Sequence, residues 1–82
     1  MDTFMTVAEA FRHTAQSRQH AFAHEFAEDF FGQVEGFLAQ GYSPADISAA
    51  LRPLFEEYRA SNQAIFRDAL VEVIIELDEM AA

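Results

Sequence analysis

The chain has 82 residues, 51% of them hydrophobic, with nine Phe and a formal net charge of -9. All five of its basic residues are Arg, against 14 acids, and Cys is absent. These counts exclude disulfides, thiol catalysis and thiolate zinc sites, and they argue against binding nucleic acid or anionic membranes, both of which call for cations.

A chain this short forms one domain, residues 1–82, and a lone monomer of this size buries a modest share of its surface. No apolar run reaches the roughly 20 residues that span a bilayer. Met1-Asp2-Thr3 lacks the basic start of a signal peptide. A cytoplasmic location is therefore expected.

The first half opens at Thr6-Val7-Ala8-Glu9, which fits a capping box. Apolar residues then recur at Ala8, Phe11, Ala15, Phe22, Phe26 and Phe30, with the spacing of a helix. The polar stretch from Thr14 to Gln19 leaves two readings, one helix of about 34 residues or two shorter ones with Ser17 capping the second. Phe22, Phe26 and Phe30 lie four apart, with Ala beside the first two, a row suited to helix packing. The apolar arc widens later to take in Ala27, Phe31, Val34 and Leu38, so this end is expected to touch more than one neighbour.

The firmest boundary is Gln40-Gly41-Tyr42-Ser43-Pro44. Gly41 suits the left-handed position after a helix. Ser43 is a strong N-cap, Pro44 suits the first helical position, and Asp46 meets the positive helix end.

The second half runs Ile47, Ala50, Leu51, Leu54, Phe55, Tyr58, then Ile65, Phe66, Ala69, Leu70, Val73, Ile74 and Leu77. Pro53 predicts a kink, or a helix that ends near Leu51. Ser61-Asn62 is a second weak point, and the last helix is expected from about Gln63 to Met80. The pattern predicts an all-α fold, an antiparallel hairpin of two long, broken or kinked helices with its turn at 41–43. Two helices leave a thin core, so a homodimer forming a four-helix arrangement is expected, with a compact three- or four-helix monomer as the alternative.

Three groups of residues are candidates for function. His13, His20 and His24 fall within about 40° of one another on a continuous helix. His20, His24 and Glu28 are thus a candidate metal set. The plainer reading is a solvated face opposite Phe11 and Phe22. A histidine surface would also respond to acid. The carboxylates form two clusters: Glu25, Glu28, Asp29 and Glu35 in the first half, and Asp68, Glu72, Glu76 and Glu79 along the last helix. Bundle dimetal sites pair inward Glu residues with Glu-x-x-His, and no Glu-x-x-His occurs. The clusters read either as solvated faces or as a negative surface for a basic partner. Finally, Phe30, Phe31, Phe37 and Tyr42 gather near the Gly41 turn. They either close the core or form an anchor patch for a partner.

No nucleophile stands in a recognisable motif and no glycine loop cradles phosphate, so neither enzyme activity nor a cofactor is expected. The leading expectation is a small acidic protein-binding regulator or inhibitor. It would act through Phe30, Phe31, Phe37, Tyr42, Glu25, Glu28, Asp29, Asp68, Glu72 and Glu76. One concrete version is a phage or mobile-element protein that blocks a host or defence complex by covering a basic, nucleic-acid-binding surface. The alternatives are a metal-binding or metal-sensing protein using the histidine stripe, and a structural assembly subunit.

Overall fold

The computed structural model describes residues 3–82. Met1 and Asp2, on which the signal-peptide reading rests, lie outside the described residues. Four helices follow in order: α1 (Thr3–Ser17), α2 (Ala23–Ala39), α3 (Pro44–Ala60) and α4 (Ala64–Ala81). The fold is all-helical, and no strand occurs among the described residues.

The expected pair of long helices is instead two pairs of shorter ones, and each break has a local cause. Thr6 lies inside α1 and does not start it. Ser17 is the last residue of α1 and not the cap of the next helix. The chain turns through residues 18–22 to Phe22, which is extended at φ -129 and ψ 148. There the Glu25 carboxylate accepts a hydrogen bond from the Phe22 backbone N–H at 3.1 Å. This satisfies one of the donors a helix start leaves unpaired.

The Gly41 turn forms as the sequence predicts. Gly41 has φ 101, a backbone region open to glycine. Its N–H donates to the Leu38 carbonyl and the Tyr42 N–H to the Phe37 carbonyl, each at 3.1 Å. That is a Schellman closure, and the apolar contact that accompanies such closures is present, with the Tyr42 and Phe37 rings 5.2 Å apart and edge-on. Ser43 Oγ then accepts from the Asp46 N–H at 3.1 Å, with Pro44 opening α3.

The break between α3 and α4 repeats this device without glycine. Asn62 takes φ 63, and the Gln63 N–H donates to the Tyr58 carbonyl at 3.1 Å. Asn is among the few residues that accept this backbone. Pro53 neither ends α3 nor stands near its edge, since the helix runs on to Ala60. It lies on the exposed side together with Ala49, whose carbonyl loses its helical partner to the proline.

All four helices contribute to one core. Val7, Phe11 and Ala15 come from α1, and Phe26, Ala27, Phe30, Val34 and Phe37 from α2. Ile47, Ala50, Leu51, Leu54 and Tyr58 come from α3, and Ala69, Leu70, Val73, Ile74 and Leu77 from α4. Phe11 sits at the centre, 5.0 Å from the Phe30 ring and 6.4 Å from Phe37. α4 packs on α3 and α2, while α1 packs on α3 and more lightly on α2. α2 and α3 touch sparsely, so the helices joined by the Gly41 turn do not form the side-by-side hairpin expected. One chain thus supplies the four helices that two copies were expected to supply, within 31 × 23 × 21 Å.

Candidate functional site

The outer face of α4 carries a cluster of exposed acids. Helical geometry places Asp68, Val71, Glu72, Ile75 and Glu79 within about 100° of one another, on the side opposite the buried Leu70, Val73 and Leu77. Glu72, Glu76 and Glu79 are exposed. Asp68 is held by its neighbour Arg67, whose Nε donates at 3.0 Å. Ile75 is 53% exposed in the middle of these acids. Beside it, Phe55, Val71 and Ile74 floor a shallow groove between α3 and α4 of about 330 Å³, with Arg52 and Glu56 at its edge.

Of the two readings of the aromatic residues near the Gly41 turn, core or anchor patch, their burial favours the core. Phe30 is fully buried and Phe37 nearly so. Phe31 and Tyr42 are half-buried and pack against the core. Closing the core around Phe11 takes Phe30 and Phe37 out of reach of a partner, while Phe31 and Tyr42 keep part of their surface. Phe22, expected in the same apolar row, is 63% exposed at the start of α2 and stacks on His24. The break before α2 rotates it away from the row.

The acids of α2 are also partly spoken for. Glu25 caps its own helix. The Asp29 carboxylate accepts from His20 Nε2 at 2.7 Å, with Arg18 Nε 3.9 Å away. His20 Nδ1 lies 3.7 Å from Glu25 Oε2, and its ring meets the Phe26 ring edge-on at 4.7 Å. Only Glu28 and Glu35 of this cluster stay exposed with no ion pair among the described residues.

The histidine stripe is dispersed for the same reason. His13 is on α1, His20 in the linker and His24 on α2, so the shared helical line does not exist. His20 turns to Asp29 and Glu25 and not to Glu28. Among the described residues, no group of three or more His, Asp or Glu is arranged to hold a metal ion.

Two features escape a reading of the sequence. The first is Ile75. Ile74 and Ile75 are adjacent, about 100° apart on a helix, so a one-sided core takes only one of them, and that signal was present. The second is a polar pocket of about 320 Å³ where α1 meets the α3–α4 turn, walled by Arg12, Gln16, Glu57, Tyr58, Ser61, Gln63 and Phe66. Arg12 and Tyr58 are too far apart in sequence for any spacing rule to join them.

At this pocket Arg12 Nε and one terminal nitrogen donate to the same Glu57 oxygen, at 3.3 and 3.1 Å. The pair is 38% and 51% exposed, and ion pairs so placed contribute under about 1 kcal/mol. The Tyr58 hydroxyl is buried with no hydrogen-bond partner among the described residues, an arrangement that costs about 1–3 kcal/mol. Burial pushes the Tyr58 hydroxyl above its ordinary range, Arg12 opposes that shift, and Glu57 adds to it.

On the far side of α3, Ser48 Oγ donates to Asp78 Oδ1 and an Arg52 terminal nitrogen donates to Oδ2, both at 2.6 Å. The Ser48 hydrogen bond, helped by Arg52, holds the Asp78 carboxyl below its usual range against the opposing effect of desolvation.

No protein-family profile, curated protein or solved structure matches the chain. No helix among the described residues is long and apolar enough to cross a membrane.

Proposed function

We propose that this chain is a small acidic regulator or inhibitor that works by binding another protein. The observation that carries the reading is the outer face of α4, where Ile75 stands exposed among Asp68, Glu72, Glu76 and Glu79. An apolar anchor ringed by like charges suits a partner with a basic surface around an apolar pocket. The carboxylates set encounter rate and partner choice, and Ile75, with the Phe55 and Val71 groove beside it, supplies the desolvated contact. The aromatic residues enter this function as core that holds α2 and α4 in place, not as the contact.

A basic surface that ordinarily holds nucleic acid fits this description, because the acids then occupy the positions of phosphates. The reading does not need a dimer, since four helices already close one core within one chain.

The test is affinity capture from cells of the source organism with three baits: the native chain, Ile75→Asp, and the double variant Glu72→Arg with Glu76→Arg. The expected result is a defined protein with a basic surface, captured by the native chain and lost with both variants. Identical captures from all three baits would sink the proposal. So would loss that tracks unfolding of the variants by circular dichroism.

A further inference from the structure

The pocket at the α3–α4 turn is unexplained by a protein-docking role on α4, and its chemistry is specific. Tyr58 is 5% exposed, and its hydroxyl is buried without a partner among the described residues. Buried hydroxyls in folded proteins are as a rule hydrogen-bonded, so an orphan calls for a reason. Tyr58 lines this pocket together with Arg12 and Glu57. Phe66 stands against the Tyr58 ring at 5.2 Å and adds an aromatic wall.

The polar groups fall into a pattern of donors beside an acceptor. The Tyr58 hydroxyl donates, and so do the guanidinium N–H groups of Arg12 that Glu57 does not use. Glu57 spends one oxygen on Arg12, and its Oε1 remains as an acceptor. A group that answers this pattern offers a carbonyl oxygen next to an N–H, which is the edge of an amide. A carboxylate would meet Glu57 and the field of a chain carrying -9, and an ammonium would meet Arg12. The Phe66 wall favours a flat ring. A volume of about 320 Å³ is at the small end of ligand pockets and suits a single ring system. The Tyr58 hydroxyl is closed off in the unliganded chain, and the part-exposed Arg12–Glu57 pair in the same pocket wall is weak enough to part when a ligand enters.

We propose that this pocket binds a small, neutral, planar molecule through an amide edge, with the carbonyl on Tyr58 and Arg12 and the N–H on Glu57. The site is separate from the α4 face, so it stands or falls independently of the protein-binding reading.

Nuclear magnetic resonance titration of the full chain tests this, with nicotinamide and 2-pyridone as neutral amide probes and nicotinate as the charged control. The expected result is shifts confined to backbone amides around Arg12, Gln16, Tyr58, Gln63 and Phe66 with at least one neutral probe. Nicotinate should bind at least about tenfold more weakly. Tyr58→Phe should weaken the neutral probe about tenfold, while its melting temperature equals or exceeds that of the native chain, because the orphan hydroxyl is gone. Ile75→Asp should leave the titration unchanged. The proposal is overturned if neither amide shifts the pocket at millimolar concentration, if nicotinate binds as well, or if Tyr58→Phe binds like the native chain.

Discussion

Asp78 joins α4 to α3 through two short hydrogen bonds, one from the buried Ser48 hydroxyl and one from the exposed Arg52. Its carboxyl is held below the ordinary range, chiefly by Ser48. A carboxyl with a depressed pKa in the folded state releases its proton there more readily than in the unfolded chain. Its stabilisation is therefore complete above the unfolded pKa and disappears as the pH falls through the folded one. The native chain should be more heat-stable than Asp78→Asn at neutral pH. The gap should close as the pH drops from about 5 toward the depressed value of Asp78. Ser48→Ala should move the pH at which the gap closes upward, because Ser48 is the main cause of the shift. Melting curves of the three proteins between neutral and strongly acid pH check both statements. A gap that stays constant across the series would show that Asp78 acts by shape alone.

The helix boundaries obey two rules of backbone chemistry, and the glycines separate them. Gly41 has φ 101, and a Cβ added there meets no atom within 4 Å. The cost of Gly41→Ala is therefore backbone strain alone, about 1–2 kcal/mol. Gly32 and Gly36 lie inside α2, and a Cβ at either also meets nothing, so Gly36→Ala should gain about 0.5–1 kcal/mol from helix propensity. In a domain of this size each kcal/mol moves the melting temperature by about 4–8 °C. Calorimetry should show Gly41→Ala melting below the native chain and Gly36→Ala above it. The same rules decide how much of the fold was legible. Gly41, Ser43 and Pro44 announce their turn by residue type. The start of α2 relies on a Glu25 side chain reaching back to Phe22, and the end of α3 relies on Asn62 taking the left-handed backbone. The Ser61-Asn62 break was legible as a weak point and the polar stretch before Phe22 as one of two readings, but apolar spacing alone could not choose between one helix and two across residues 18–22. The candidate site followed suit. Asp68, Glu72 and Glu76 were readable as one face because α4 is a regular helix. The histidine stripe was not, because it assumed a helix across residues 18–22, and the Arg12 and Tyr58 pocket depends on packing between distant segments.

At the scale of the whole molecule, the question is whether one core holds all four helices. Every helix places residues in the same buried cluster, and a chain of 82 residues has little stability to spare. Phe30 is fully buried and shares its surroundings with Phe11 at 5.0 Å and Phe26 at 6.2 Å. Phe30→Ala removes a ring from the middle of this cluster and should cost about 3–5 kcal/mol. Phe22 belongs to the same four-residue row in the sequence, yet it is 63% exposed. Phe22→Ala should fall within about 0.5 kcal/mol of the native chain. Two phenylalanines that a sequence pattern treats alike are thereby separated by the break before α2, and the contrast tests that break directly. Chemical denaturation followed by far-ultraviolet circular dichroism and by Tyr fluorescence is the measurement. Measured in a Tyr42→Phe background, so that Tyr58 on α3 is the one fluorophore, Phe30→Ala shifts both signals together if the core is one unit. If α1 and α2 formed a separate unit, the Tyr58 signal would keep its native midpoint, and a single core spanning all four helices would be ruled out.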